Sequence, residues 1–306
     1  SLGTTVIKIG GSTLGEHDST VQDLAALQRN GINPVVVHGG GGVISDWMIR
    51  QGVRPIFKDG LRVTDAEGLK IVVAVLAGLV NKELVVSLSA AGARAVGVSG
   101  ADGGILKARI KNPDLGYVGT VTDVDPSPIR ALLAEGCIPV VAPVAVGVTD
   151  EPGRPGFLLN VNADTAAGEV AWAMGAERLI ILTDVEGVLD GSRRLIPRLT
   201  QRQAVELKNS RVVAGGMIPK IEACLRALDE VLPECRERPG PGGPAVHGRC
   251  DTPCDVGHVG LQAVAADPWV GVDVHVDQPR RDDPFGRVDH LGSTCIDVFT
   301  HIRYHA

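Results

Sequence analysis

Residues 35–48 read Val35-Val36-Val37-His38-Gly39-Gly40-Gly41-Gly42-Val43-Ile44-Ser45-Asp46-Trp47-Met48. Three consecutive valines make a strand apolar on both faces, as in a sheet covered on both sides. Four glycines follow, and then a helical pattern carries Trp47 and Met48. A strand that opens directly into a helix is the repeating unit of α/β proteins. Outward from this unit the same alternation recurs. Residues 4–9 (Thr-Thr-Val-Ile-Lys-Ile) read as a buried strand, as do Ala95–Val98, Pro139–Val144 and Leu179–Leu182. Helical patterns lie at 65–90, 127–136, 163–175 and 216–230. The expected fold is a three-layer αβα sandwich around a central, mostly parallel sheet. Segments 105–124 and 145–160, richer in turn and β-branched residues, read as hairpins beside a substrate pocket. The helix at 65–90 is apolar nearly all round, so it is expected to be buried, partly against a second subunit.

The chain has 306 residues, 44% of them apolar, with a mean hydropathy of +0.15. That suffices for one large or two moderate domains with a real core. Net charge is −6, from 30 Lys+Arg against 36 Asp+Glu, and aromatic residues make up 3%. This balance argues against a nucleic-acid partner, which needs basic surface and stacking platforms. No stretch has 18 uninterrupted apolar residues and no basic-then-apolar start is seen, so no membrane span is expected and the default location is cytoplasmic. Cys137 and Cys224 lie in apolar settings and read as reduced core residues.

Beyond about Leu232 the character changes. Residues 221–306 contain no lysine, and six of the eight histidines and four of the six cysteines lie beyond Pro233. Arg236–Gly260 is dense in Pro and Gly with no sustained period. The expectation is an irregular tail. His247, Cys250, Cys254 and His258 have metal-like spacing; a zinc site competes with the plainer reading of a compositionally biased tail.

Two lysines beside glycine pairs point to phosphate chemistry. One lies in Val6-Ile7-Lys8-Ile9-Gly10-Gly11-Ser12, the other in Gly215-Gly216-Met217-Ile218-Pro219-Lys220. Glycine lets backbone N–H groups approach an anion, and an ammonium adds a point charge. Taken alone, Lys8 also reads as a strand lysine reaching solvent. Taken together, the pair describes a cleft that clamps a transferring phosphoryl group from two sides. The Gly39–Gly42 run reads as an anion site at a helix N-terminus or as a tight strand–helix turn, although a turn needs only one or two glycines. Other phosphate and oxyanion signatures fail: there is no P-loop, no Gly-x-Gly-x-x-Gly and no Gly-x-Ser-x-Gly elbow.

Further candidates lie between the lysines. Arg62, in Asp59-Gly60-Leu61-Arg62-Val63-Thr64, is either a fork for a carboxylate or a surface arginine. In Leu159-Asn160-Val161-Asn162-Ala163-Asp164-Thr165, Asn160 can bind an amide or carboxylate. Asp164 is either a helix cap or a carboxylate holding both ammoniums. Thr183-Asp184-Val185-Glu186-Gly187-Val188 ends an apolar strand, where parallel sheets bind ligands; a nucleotide site or a plain turn fits there. Lys58 reads as solvated.

Together these segments resemble the amino acid kinase family. The matching stretches are Lys8-Ile9-Gly10-Gly11, His38-Gly39-Gly40-Gly41, Gly60-Leu61-Arg62-Val63-Thr64, Val80-Asn81-Lys82-Glu83-Leu84, Asn160-Val161-Asn162-Ala163-Asp164, Leu182-Thr183-Asp184-Val185 and Gly215-Gly216-Met217…Lys220. They occur in the family's order and cover roughly residues 4–230. The resemblance implies ATP-dependent phosphorylation of the side-chain carboxylate of N-acetyl-L-glutamate in arginine biosynthesis. It also implies residue roles. Lys8 and Lys220 flank the transferring phosphoryl group and Asp164 organises them. Gly40, Gly41 and Gly11 offer N–H donors, while Arg62 and Asn160 hold the substrate. Gly10, Gly11, Thr183, Asp184, Gly187, Gly215 and Met217 belong to the nucleotide site. Mg²⁺ rides on the ATP phosphates, with no protein-held metal expected.

The expected organisation is a substrate-binding and dimerisation half at 1–175, a nucleotide-binding half at 176–232 and an atypical tail at 233–306. Because the tail departs from the family pattern, edge strands of the nucleotide half are expected to be missing. The chain starts almost at its first strand, without the N-terminal helix of the arginine-inhibited hexameric branch, so a homodimer is expected. Competing functions are a related kinase acting on carrier-bound aminoadipate or glutamate, and a non-catalytic sensor on the same fold.

Overall fold

The computed structural model describes residues 4–10, 19–149, 156–183, 187–210, 212–213 and 215–228, and the backbone of two further strands at 271–275 and 295–298. The chain begins with β1 (Thr4–Ile9), α1 (Thr20–Arg29), β2 (Asn33–His38) and α2 (Gly41–Arg50). A short hairpin of β3 (Phe57–Lys58) and β4 (Leu61–Arg62) leads into α3 (Ala66–Val73). A π-helical stretch (Ala74–Val80) joins it to α4 (Asn81–Ala90). Then come β5 (Ala95–Ser99), β6 (Leu106–Ile110), β7 (Gly119–Val124), α5 (Ser127–Ala134), β8 (Ile138–Ala142), β9 (Val144–Gly147) and β10 (Phe157–Asn160). The remaining elements are α6 (Ala163–Met174), β11 (Arg178–Leu182), β12 (Arg198–Thr200), α7 (Gln201–Asn209), α8 (Met217–Leu228), β13 (Gly271–His275) and β14 (Cys295–Val298).

The main sheet has the order β12-β14-β13-β11-β1-β2-β8-β5. Its five strands from β11 to β5 are mutually parallel. Strand alternation sends Val6, Val35 and Val37 to one face, where they pack with Ala166, Ala167 and Val170 of α6 and Ile221 of α8. Ile7, Ile9 and Val36 go to the other face, against Leu24 of α1 and Leu84 and Leu88 of α4. This is the expected three-layer arrangement. The hairpins expected at 105–124 and 145–160 are present as β6–β7 and β9–β10, joined in a second sheet of order β10-β9-β6-β7.

Within residues 233–306 the structure describes two short strands, β13 and β14. β13 runs antiparallel to β11 and β14 lies between β13 and β12, so β11 has a partner on its outer edge. The His247–His258 spacing lies outside the described residues. The helix Ala66–Ala90 is long and apolar enough to cross a membrane by length and composition alone. In the fold its two ends bury different faces. Val72, Val75, Leu76 and Val80 pack with Ile44 and Met48 of α2, whereas Leu84 and Leu88 pack on α1 and the sheet. The intervening π-helical stretch shifts the buried stripe. A helix with two buried stripes reads as apolar all round.

Helices α6 and α8 approach closely because Gly168 has no Cβ. A Cβ there would sit 2.7 Å from both the Cα and the carbonyl oxygen of Ala223. Arg226 of α8 adds an ion pair to Glu169 (2.9 Å) and stacks 3.9 Å over the Trp172 ring. Gly168→Ala is expected to cost about 1–3 kcal/mol of stability, since backbone cannot yield as a side-chain tip can. It should also slow catalysis roughly 10-fold, because Lys220 lies one turn from Ala223. Urea unfolding and kcat measured on the same variant check this; an unchanged midpoint with unchanged kcat would refute it.

Candidate functional site

The carboxyl ends of the parallel strands form one edge of the sheet, and ligands of open α/β folds bind outside that edge. Lys8 is the penultimate residue of β1, on the same face as Val6, and is only 6% exposed. The α6 face that covers it supplies a counter-charge instead of an apolar side chain. Lys8 Nζ lies 2.8 Å from Asp164 Oδ1. An ammonium so enclosed needs such a partner, because desolvation disfavours an unpaired charge.

Asp164 is the second residue of α6. The cap itself is Asn162, whose side-chain oxygen accepts from the Thr165 N–H at 3.0 Å. The helix-cap reading of Asp164 is thereby replaced, and its carboxylate is left for cations. Its second oxygen receives Lys220 Nζ at 3.1 Å, across 56 residues of sequence. Lys220 stands in the first turn of α8, preceded by Gly215 at φ +58, a left-handed conformation suited to glycine. One carboxylate thus holds two ammoniums at the N-terminal ends of two helices, where exposed N–H groups and the helix dipole add positive potential.

The glycine run lies beside this cluster. Gly40 precedes α2, and a Cβ on it would meet Leu76 Cδ2 at 2.8 Å. Gly41 and Gly42 have open space where a Cβ would stand. Packing therefore accounts for Gly40, while Gly41 and Gly42 leave room beside the backbone for another group to approach.

Arg62 is 7% exposed, so the surface-arginine reading is set aside. One of its terminal nitrogens donates to the Gly41 carbonyl (2.8 Å) and to Ser45 Oγ (2.9 Å). Its guanidinium lies 4.7 Å over the Phe57 ring. Among the described residues no carboxylate pairs with it, and burial pulls its pKa below the ordinary arginine value. A buried guanidinium without an anion is a ready receptor for a carboxylate. Asn160, at the end of β10, donates to Thr64 Oγ1 at 3.2 Å, which in turn donates to the Arg62 carbonyl at 3.1 Å.

Lys8, Gly40, Gly41, Arg62, Asn160 and Asp164 line one cavity of about 210 Å³, with Leu61, Leu76, Val118 and Pro143 as apolar wall. Among the described residues lining it, Asp164 is the one carboxylate. Gly215 lines a neighbouring cavity of about 470 Å³ between Lys58, Lys111 and the start of α8, and Asn162 borders both. Lys58 is half exposed and pairs with Asp114 at 2.8 Å. Thr183 follows the end of β11, two residues past the Ile181–Lys8 register pair, as Gly10 follows β1. Gly187 is buried, at φ +126, and Met217 opens α8. Lys220, Gly10, Thr183, Gly187 and Met217 line neither cavity. Gly11 and Asp184 lie outside the described residues. Asn162 and Thr64 were missed from sequence; the Asn-x-x-Thr spacing at the start of α6 was a readable capping signal.

The amino acid kinase family model matches residues 3–233. An acetylglutamate kinase of Synechococcus sp. (strain RCC307) is 48% identical over 230 residues, 73% of this chain and 76% of that protein. One from Synechocystis sp. (strain ATCC 27184 / PCC 6803 / Kazusa) is 47% identical over 232 residues, 74% of this chain and 76% of that protein. Among solved structures, smu.665 of Streptococcus mutans UA159 superposes with a TM-score of 0.65 at 33% identity, over 74% of this chain and 90% of that one.

Proposed function

The chain belongs to the amino acid kinase family, and we propose that it transfers the γ-phosphoryl group of ATP to the side-chain carboxylate of N-acetyl-L-glutamate, the acyl phosphate product serving arginine biosynthesis. The observation that carries this reading is the Lys8–Asp164–Lys220 cluster beside a cavity whose only other charged lining residue, among the described residues, is Arg62, which pairs with no described carboxylate. Three cations against one carboxylate leave a positive surplus for a dianionic substrate and a phosphoryl group.

In this reading a carboxylate oxygen of the substrate attacks the γ-phosphorus. A P–O bond forms, and the bond to the β,γ-bridging oxygen breaks, leaving its electron pair on ADP. The nucleophile is already ionised at pH 7, so no general base is required. Lys8 and Lys220 offset the charge that spreads over the phosphoryl oxygens. Gly40 and Gly41 donate backbone N–H groups, with Gly11 as a further donor. Arg62 and Asn160 hold the α-carboxylate and acetamido end. Gly10, Thr183, Asp184, Gly187, Gly215 and Met217 serve the nucleotide. Asp164 is already engaged by two ammoniums, so the donor set favours Mg²⁺ entering on the ATP phosphates with water ligands.

The direct test is ADP release with Mg-ATP in the presence and absence of N-acetyl-L-glutamate, with hydroxylamine trapping of the acyl phosphate. Release without dependence on the acetylated substrate, or dependence on glutamate instead, would refute it. Arg62→Ala is expected to raise KM for N-acetyl-L-glutamate about 10- to 100-fold through loss of a charge-assisted hydrogen bond. The ATP KM should be nearly unchanged, and steady-state kinetics on both substrates separates the two effects. The same reading carries a cytoplasmic homodimer, with Ala66–Ala90 in its interface; Val86 on that helix is 67% exposed. A hexamer in size-exclusion scattering would overturn the dimer.

A further inference from the structure

His38 ends β2 and has no exposed surface, and Asn81 opens α4 with none either. Their side chains meet at 3.1 Å, Asn81 Nδ2 to His38 Nε2. The orientation of the Asn81 amide is settled by its other neighbours. One of the two Nδ2 hydrogens goes to the carbonyl of Val140 (2.9 Å), with the Val98 carbonyl further off at 3.3 Å, whereas Oδ1 accepts from Lys82 Nζ at 2.9 Å. A flipped amide would put its oxygen against two carbonyl oxygens. Nδ2 is therefore the donor, and His38 Nε2 must accept. The ring proton then sits on Nδ1, which lies 3.0 Å from the Gly39 carbonyl oxygen and donates to it. This network admits one neutral tautomer. Burial, the largest influence on the ring, pulls its pKa below the ordinary histidine value; the hydrogen bond with the Gly39 carbonyl opposes this shift, and the charge of Lys82 reinforces it.

The consequence falls on the next peptide. In a planar trans peptide the carbonyl of Gly39 and the N–H of Gly40 point to opposite sides. His38 draws the carbonyl toward the core, and the Gly39 N–H is already tied to the Ile9 carbonyl at 2.9 Å. Gly40 lines the cavity, and its N–H makes no hydrogen bond to the described residues. Gly97 is part of the same device, since a Cβ there would collide with Asn81 Oδ1.

We propose that His38 and Asn81 are positioning residues that set the Gly39–Gly40 peptide plane, so that the Gly40 N–H is held aimed into the cavity at the oxygens of the reacting groups. This rests on the phosphoryl-transfer reading above. It adds that a buried neutral histidine, which never touches substrate, tunes the transition-state donor.

Two experiments test it. In ¹⁵N-histidine-labelled protein, long-range ¹H–¹⁵N spectra, assigned with His38→Asn, should show the His38 proton on Nδ1. No titration should occur across roughly pH 5.5 to 8.5, where an ordinary histidine loses its charge. The opposite tautomer, or a titrating ring, overturns the proposal, and this result does not depend on which substrate the enzyme uses. In kinetics, His38→Leu should lower kcat about 30-fold, with both KM values within about 3-fold, as expected for a misaimed transition-state donor. His38→Asn, whose Nδ2 stands where the ring Nδ1 stood, should recover kcat to within about 5-fold of wild type. Equal loss in the two variants, or a loss carried by KM, overturns the proposal. Absence of acetylglutamate-dependent turnover in the wild type would instead refute the functional reading, leaving the tautomer result standing.

Discussion

Lys8→Ala and Lys220→Ala are each expected to lower kcat by about 100-fold or more, with smaller changes in KM. Phosphoryl transfer leaves little covalent work for the protein, so positioning and charge neutralisation must supply the acceleration. Both ammoniums are nearly enclosed, at 8% and 13% side-chain exposure, so water screens them poorly and their field at the reacting group is strong. The two substitutions should not add. Each removes one side of a single clamp, and the partner then has Asp164 to itself. A double variant should therefore fall short of the product of the single effects. Steady-state kinetics on the three variants, with urea unfolding to confirm folding, is the measurement. Wild-type turnover in both single variants would sink the mechanism.

Much of this arrangement was legible in the sequence because it depends on short-range signals. A lysine in an apolar strand, glycines at a strand end and an acid in a first helical turn each leave a local mark. Val6 and Lys8 share a strand face, so the side of the sheet that covers Val6 must also neutralise Lys8. The weak points were elements whose reason for existing is distant. Helix α7 buries only Ala204, so its apolar period is faint. Yet Thr200 and Gln203 form a complete capping box that could have located it. Helix α1 likewise buries only Thr20, Leu24 and Ala25. The strand Gly271–His275 alternates apolar and polar residues, and Cys295–Val298 does so only from Ile296 on. They are short, though, and set among Pro and Gly, and β13 pairs with β11 some 90 residues upstream. Nothing local announces such a pairing. Arg62 illustrates the same limit at the site: burial, not identity, separates a ligand-binding arginine from a surface one, and burial is a tertiary property.

Asp164→Asn puts two electrostatic effects in opposition, and their sizes decide the outcome. Removing a negative charge from beside an anionic phosphoryl group should by itself help. At an effective dielectric of about 20 and a separation of roughly 6 Å, that repulsion is worth on the order of 3 kcal/mol. Against it stands the loss of the group that holds Lys8 at 2.8 Å and Lys220 at 3.1 Å. Without the carboxylate two like charges face each other in a nearly dry site, and each is driven toward solvent and away from the phosphoryl oxygens. Breaking such a buried pair costs about 3–5 kcal/mol, and a displacement of about 1 Å alone can cost roughly 100-fold in rate. The net expectation is a fall in kcat of about 100-fold or more, with stability reduced by about 3 kcal/mol. Asp164→Glu keeps the charge but lengthens the arm, so it should preserve stability better than the asparagine variant while still misplacing the lysines. Measuring kcat and urea midpoints for both variants separates the two contributions. An asparagine variant with lower stability and undiminished kcat would make Asp164 a structural counter-ion only. One with increased kcat would mean that the direct repulsion dominates and that the lysines hold their places without it.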